Sequence, residues 1–232
     1  MKKVPISKRL QAVADLIDNG SRVADIGCDH GFLGIYLLQC GKASFVAASD
    51  LREKPLSVAR TNAARFQTAE RMRFVCADGL TGVLPEEIDT IVCAGMGGDA
   101  ITLILDHAPW VRNEKYTLIL QPQSGVADLR AYLGRQGFHI DREVPMEDHG
   151  FLYSAMKVCY DGICRELLPG ERFVSQAMLR EQTPLTRNYW QRMVNSVRNT
   201  LQSLKNTEPI PEKARYFTDA LDQLLLMEDQ LP

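Results

Sequence analysis

The sequence predicts an α/β protein: a doubly wound, mainly parallel sheet closed by an antiparallel hairpin, with a helical tail after it. Three observations carry this. Up to about residue 163, short apolar β-type runs alternate with helical segments across short loops, the pattern of right-handed crossovers. Two β-type runs then follow each other with only a polar turn between them. Beyond Cys164 strand signals stop and helical periodicity continues to the end.

The elements follow in order. Residues 7–17 place Leu10, Val13, Ala14 and Ile17 at helical spacing and predict a lead-in helix. Residues 22–27 predict a first strand, 31–40 a helix that Gly41 ends, and 44–49 (SFVAAS) a second strand reaching Asp50. Pro55 suits the first turn of the next helix, where its missing N–H costs nothing, and that helix runs to about residue 66. A third strand at 72–76 leads into Ala77-Asp78-Gly79, and a fourth at 88–93 leads into Ala94-Gly95-Met96-Gly97-Gly98. A helix over 99–107 and a fifth strand over 116–120 follow, the strand closed by Gln121-Pro122-Gln123-Ser124. Helix 126–136 ends at Gly137, and the runs 138–145 and 151–160 predict the hairpin.

The tail predicts helices at 171–182, 184–204 and 211–227, with Pro209 and Pro211 marking the last break. Tyr189, Met193, Val197, Leu201 and Leu204 form one apolar stripe; Tyr216, Phe217, Leu221, Leu224 and Leu225 supply its partner. Such stripes predict an antiparallel, coiled-coil-like helical pair. The chain therefore divides at 1–163 and 164–232. The alternative is that the last helices complete the main core.

Apolar residues make up 45% of the chain and charged residues 24%, which argues against disorder. A formal charge of −2 means that any nucleic-acid surface must be local. No apolar run reaches the roughly 18–20 residues of a membrane span, and MKKVPISKRL lacks an apolar signal core. No membrane association and a cytoplasmic location are expected. The six cysteines include no C-x-x-C pair, so buried, reduced thiols are expected. The four histidines add no spaced ligand set, and no metal site is expected.

The stretch ADIGCDHGFLG resembles a dinucleotide-binding loop, yet Asp29 stands where the second glycine of G-x-G-x-x-G would be. Open α/β sheets bind ligands at the carboxyl ends of their strands. Four features fall at such ends here: DIGCDHG, Asp50, Asp78-Gly79 and GMGG. Asp50 follows Gly31 by 19 residues, near the spacing at which an acid takes ribose hydroxyls. An adenosine-type ligand is therefore expected. A pyrophosphate would be repelled by Asp29 across a low-dielectric gap, whereas the sulfonium and ammonium of S-adenosylmethionine favour carboxylates. The ligand's own carboxylate can use a helix N-terminus. The closing hairpin agrees with a Rossmann-like methyltransferase sheet.

Together ADIGCDHGFLGIYL, Asp50, CADGL, GMGG and LILQPQ resemble the bacterial tRNA adenine-22 N1-methyltransferases of the TrmK type, class I enzymes that use S-adenosylmethionine. The resemblance spans the whole chain, including the lead-in S-K-R-L and the tail. It departs at Cys28 and Gly31, where Ser and Ala are expected, and at Gln123, where Asn is expected. It implies methylation of adenine N1 in the tRNA D-arm by direct in-line transfer.

On this reading Asp25, Gly27, Cys28, Asp29, Gly31, Asp50, Leu51, Asp78, Gly79, Gly95 and Met96 hold the cofactor. Asp29, His30 and Met96 stand at the reaction. Gly97, Gly98, Gln121, Gln123, Lys8, Arg9, Arg187 and Arg192 meet the tRNA. Lys2, Lys3, Lys8 and Arg9 cluster at the N-terminus, and Arg180, Arg187, Arg192 and Arg198 recur in the tail. Acids balance the tail's bases, so RNA binding there requires the arginines to share one face. No protein partner is required, and a monomer or weak homodimer is expected. Two rivals stay open: a methyltransferase of this fold acting on a small molecule, and a non-catalytic RNA-binding protein that retains the pocket.

Overall fold

The computed structural model describes residues 3–207, 209 and 211–232. In chain order the elements are α1 (Lys8–Asp15), β1 (Ser21–Ile26), α2 (Phe32–Gln39), β2 (Ala43–Asp50), α3 (Glu53–Arg65), β3 (Met72–Cys76), β4 (Thr90–Met96) and α4 (Gly98–Asp106). They continue with β5 (Thr117–Pro122), α5 (Val126–Arg135), β6 (Phe138–Asp148), β7 (Phe151–Tyr160), α6 (Gln176–Glu181), α7 (Pro184–Lys205) and α8 (Lys213–Leu226).

The seven strands form one sheet in the order β3-β2-β1-β4-β5-β7-β6. β1 to β5 pair in parallel, while β7 runs antiparallel to both β5 and β6. The strand order reverses between β1 and β4, which places the ligand-binding crevice at their carboxyl ends. Helices cover both faces, so the inner strands read as continuous apolar runs. On one face Ile17, Leu37 and Leu56 pack over Val46 and Val92. On the other, Ile101, Leu105 and Leu133 pack over Ile91 and Leu118.

Local chemistry sets the boundaries. Ser7 is the N-cap of α1, its hydroxyl accepting from the Leu10 N–H. Gly31, in a left-handed conformation (φ +72°), starts α2. A Cβ there would sit 3.0 Å from that of Ala59, so glycine serves both the turn and the close approach of α3.

The tail departs from expectation at α6, which begins at Gln176 rather than near residue 171. The buried Arg130 explains this. Its Nη1 donates to the carbonyls of Arg172 and Phe173 at 2.6 and 2.9 Å, and its Nε and Nη2 donate to Glu143 at 3.1 and 2.6 Å. Carbonyls drawn to a guanidinium do not propagate a helix. Ser175 then caps α6, accepting from the Met178 N–H while donating to Glu143 at 2.5 Å.

α7 and α8 form the expected pair, but Leu225 is 41% exposed and lies outside its buried core. Thr186, Trp190 and Val194 widen the buried face of α7, and the Trp190 indole donates to the Leu224 carbonyl at 2.7 Å. β6 extends to Asp148, three residues past its predicted end, and packs against α6 and α7. The helical pair has its own core, and Arg130 and Glu143 lock it to the sheet.

The cysteines are free, as expected, yet only Cys28 and Cys93 are buried; Cys40, Cys76 and Cys164 are exposed. Cys40 and Cys76 stand at the ends of α2 and β3, where the apolar runs leave the core. Among the described residues, no helix is long and apolar enough to cross a membrane.

Candidate active site

Hydrogen bonds tie the strand-end features into two groups. The N–H groups of Gly27 and Cys28 both donate to the Ser49 carbonyl, at 2.8 and 2.9 Å. The Ser49 hydroxyl donates to the Gly79 carbonyl at 3.2 Å, and the Ala77 N–H donates to the Asp50 carbonyl at 3.1 Å. On the other side, the Gln123 N–H donates to the Met96 carbonyl and the Gly98 N–H to the Ser124 carbonyl, each at 2.8 Å. The loops after β1, β2 and β3 thus form one bonded group and those after β4 and β5 another, set side by side by the β1–β4 pairing.

Two cavities lie along these loops. One, of about 210 Å³, is lined by Asp50, Leu51, Asp78, Gly79, Met96 and Ile104. The other, of about 70 Å³, is lined by Asp25, Cys28, Asp29, His30 and Ala94. Gly27 borders both, so they read as two ends of one cleft. A Cβ on Gly27 would come within 3.0 Å of the Met96 methyl. The left-handed conformation of Gly27 (φ +70°) favours glycine there. A larger cavity, about 510 Å³, lies instead between α5, the start of β6 and the tail, away from the carboxyl ends of the parallel strands.

The electrostatics are one-sided. Asp25 is buried, and its Oδ2 has no hydrogen-bond partner. Burial raises its carboxyl to about pKa 7, against a lowering bond from the Gly34 N–H and with a further raise from Asp50. Such a group is an acceptor waiting for a cation or a donor. Asp50 receives the Asp29 N–H at 3.2 Å and the Arg52 N–H at 3.0 Å. Two N–H donors leave part of a carboxylate's acceptor capacity unused. Asp29 is exposed at the mouth in a left-handed conformation (φ +49°), which aspartate tolerates better than most residues. Among the described residues Arg52 is the one lysine or arginine lining either cavity, against Asp25, Asp29, Asp50 and Asp78. The acceptor set fits S-adenosylmethionine, a cation without phosphates, and opposes a dinucleotide.

His30 stands at the mouth with its imidazole half-exposed, 3.7 Å from Asp29 and edge-on to Phe32; its backbone carbonyl accepts from Asn62 at 3.0 Å. Cys28 lines the inner end, and burial first, then Asp25, Asp50 and Asp29, push its thiol pKa up. It is an inert wall, not a nucleophile.

The predicted substrate residues divide. Gln121 is fully buried: its Oε1 accepts from Arg9 Nη1 at 2.6 Å and its Nε2 donates to the Pro122 carbonyl at 3.0 Å. That corrects its expected direct contact with substrate, because both ends of the amide are spent inside the protein. It holds Arg9 instead. A Cβ on Gly95 would meet Arg9 Nη1 at 2.9 Å, so Arg9 lies against the loop that ends β4. Lys8 is exposed beside it on α1, and Lys2 lies outside the described residues. Gln123 is exposed next to Gly97 and Gly98.

Arg187 is bound at the chain's end, donating to the Pro232 carbonyl at 3.0 Å, with Glu228 4.0 Å away. Arg192 lies against β7, donating to the Leu152 carbonyl at 3.3 Å. At about 100° per residue, Arg198 comes back to within about 20° of Arg187 on α7, while Arg192 is turned about 140° from Arg187. Arg192 therefore leaves the face that Arg187 and Arg198 share, and it alone of the three borders the rim of β5.

Residues 6–156 match the family described as "Methyltransferase domain". The chain belongs to this methyltransferase family. Nearly its whole length is also similar to the tRNA (adenine(22)-N(1))-methyltransferase of Bacillus subtilis, 28% identical over 234 residues that cover 97% of each chain. The crystal structure of the B. subtilis tRNA methyltransferase TrmK superposes with TM-score 0.81 at 25% identity, over 99% of this chain and 100% of that one. A Streptococcus pneumoniae protein solved in complex with S-adenosyl-L-methionine superposes with TM-score 0.78 at 28% identity, over 94% and 100% of the two chains. The similarity of this methyltransferase to those proteins thus includes the helical tail.

Sequence reasoning missed the pairing of Arg9 with Gln121, which are 112 positions apart. It also missed Arg130 and Glu143, 13 positions apart, whose segments carry no local sign of the pairing.

Proposed function

We propose that the chain is a cytoplasmic S-adenosylmethionine-dependent methyltransferase that modifies N1 of adenine 22, in the D-arm of tRNA. The observation that carries this reading is the cleft with four aspartates at its strand ends, opening onto the Gly95–Gly98 loop. The end-to-end likeness to tRNA methyltransferases, tail included, supports the choice of substrate.

Bound in this cleft, S-adenosylmethionine supplies an electrophilic methyl group on a cationic sulfur. Asp50 takes the ribose hydroxyls, with Leu51 beside it, and Asp78 and Gly79 meet the cofactor's adenine. Asp25 and Asp29 face the cationic methionine end, with Gly27, Cys28 and Gly31 shaping the loop. Adenine N1 carries a lone pair at neutral pH and needs no general base, so the chain's contribution is alignment and field. Asp29 supplies negative field for the charge that develops on the ring, and His30 closes the mouth beside it. Met96, Gly97 and Gly98 leave room for a purine at the end of β4. N1 lies on the Watson–Crick edge, so the adenine must be unpaired when it enters. Arg9, held by Gln121, offers donors to the incoming nucleotide, and Lys8, Gln123 and Arg192 extend the contact surface outward. Residues 1–163 form the catalytic unit and residues 164–232 the tRNA-gripping tail. The protein works as a monomer or weak homodimer with no protein partner required.

The test is methyl transfer from labelled cofactor to unmodified tRNA, followed by digestion to nucleosides. Label in 1-methyladenosine supports the reading. Label in N6-methyladenosine, or in no nucleoside, overturns it.

A further inference from the structure

Beside the Gly95–Gly98 loop lies a third cavity of about 270 Å³, bounded by the turn after β5, the first turn of α5, the start of β7 and one face of α7. Gln123, which lines it, is bonded to the Met96 carbonyl, so this cavity adjoins the place where a substrate base would sit.

Three features converge on it. Ser154 lines the cavity with 1% exposure, and its hydroxyl has no hydrogen-bond partner. A buried hydroxyl left unpaired costs free energy; an acceptor brought in from outside removes that cost. The second feature is the N-terminus of α5, a ten-residue helix whose N-cap, Gly125, offers no side-chain cap. Its first intrahelical bond runs from the Leu129 N–H to the Gly125 carbonyl. The amides of Val126, Ala127 and Asp128 therefore precede the helical ladder, with the positive end of the helix dipole behind them. Arg192 is the third. It is exposed and uses one Nη1 donor on the Leu152 carbonyl, leaving the rest of its fork for a ligand. Arg130 also lines the cavity, but its donors are committed to Glu143, Tyr189 and two carbonyls. Among the described residues Asp128 is the only acid on the wall, and it is exposed.

We infer that this cavity is a phosphodiester subsite that binds a backbone phosphate of the RNA strand beside the target adenine. The inference rests on the tRNA reading above. A hydroxyl, free helical amides and a guanidinium form a donor set for a phosphate oxygen cluster. The position at the seam of sheet and tail gives the tail a defined role: it brings Arg192 to a phosphate already half-held by α5. Asp128 opposes this anion and weakens the site.

Binding of labelled, unmodified tRNA by fluorescence anisotropy across a salt series tests this. Arg192→Gln and Ser154→Ala each weaken binding, by roughly 10-fold for the charged contact. Arg192→Gln also lowers the slope of log affinity against log salt by about 0.7–0.9, one phosphate's worth. Ala127→Pro removes one amide where proline is tolerated in a first helical turn, and it weakens binding as well. Asp128→Asn tightens it, whereas Glu114→Gln, a charge removal elsewhere on the surface, does not. Cofactor affinity stays at the wild-type value in all five. Unchanged affinity and slope in Arg192→Gln and Ser154→Ala, with wild-type protein binding tRNA normally, overturn the subsite alone. Wild-type protein that binds no tRNA overturns the substrate reading and the subsite with it.

Discussion

The backbone N–H of Asp29 donates to Oδ2 of Asp50 at 3.2 Å, so the turn after β1 and the carboxylate ending β2 are set by each other. Asp50→Asn keeps the shape of the side chain but removes its charge and half its acceptor capacity. Cofactor affinity then falls by about 10-fold or more, the scale of a lost charged hydrogen bond, while the melting temperature stays close to wild type. Isothermal titration with S-adenosylmethionine reads this directly. Equal affinity in the variant would remove Asp50 from the cofactor site.

Asp25 makes cofactor binding depend on pH. Its carboxyl, buried and raised from 3.8 to about 7, is largely protonated below neutrality and must ionise to meet a cation. Affinity therefore rises from pH 6 to pH 8 in the wild type, and Asp25→Asn flattens the profile. The same shift acts on folding without ligand. The folded state holds this proton longer than the unfolded state, so its contribution to stability is greatest below about pH 4 and declines as pH rises to about 7. Asp25→Asn relieves that decline and raises the apo melting temperature at pH 8. An affinity independent of pH in the wild type would contradict the role given to Asp25.

Arg9 and Gln121 separate contact from positioning. Arg9→Ala lowers kcat/KM for tRNA and leaves cofactor affinity unchanged, because its guanidinium lies against Gly95 near the end of β4 and lines neither cofactor cavity. Gln121→Ala produces a smaller loss of the same kind, and Arg9→Ala has little further effect in that background. Additive losses in the double variant would show that the two act independently.

The buried pair Arg130 and Glu143 is structural. Arg130→Ala leaves an unpaired carboxylate in the core and frees two carbonyls, a loss of about 3–5 kcal/mol in stability. Thermal or urea unfolding measures it. The melting temperature of Arg130→Ala matching wild type would mean that the tail is held by other contacts. This pair also makes deletion of the tail a poor probe of RNA binding, since truncation would strip Glu143 and Arg130 of Ser175, Tyr189 and the Arg172 and Phe173 carbonyls.

Most of the sheet was legible because the apolar runs are short, separated by glycine and proline, and in the order a doubly wound sheet requires. The cofactor acids were legible for the same reason: Asp25, Asp50 and Asp78 sit at predicted strand ends. What escaped were relations between distant segments. Ser175 is a local start signal for α6, but nothing local stops the helix from beginning at 171; that is decided by a guanidinium 42 positions before Arg172. Gln121 follows a strand as a substrate-facing residue should, yet α1 folds over it and turns it inward. Arg187 and Arg192 looked equivalent in a helical tail, and only the docking of α7 on β7 distinguishes them.

The central claim is that methyl transfer goes to N1 of one adenine in tRNA. Unmodified tRNA incubated with the protein and S-adenosylmethionine is copied by reverse transcriptase, which a methyl on the Watson–Crick edge blocks. The account predicts a stop at position 22, lost when adenine 22 is replaced by guanine and accompanied by 1-methyladenosine on digestion. Full-length copying of treated tRNA, or a stop that persists in the guanine variant, would contradict it.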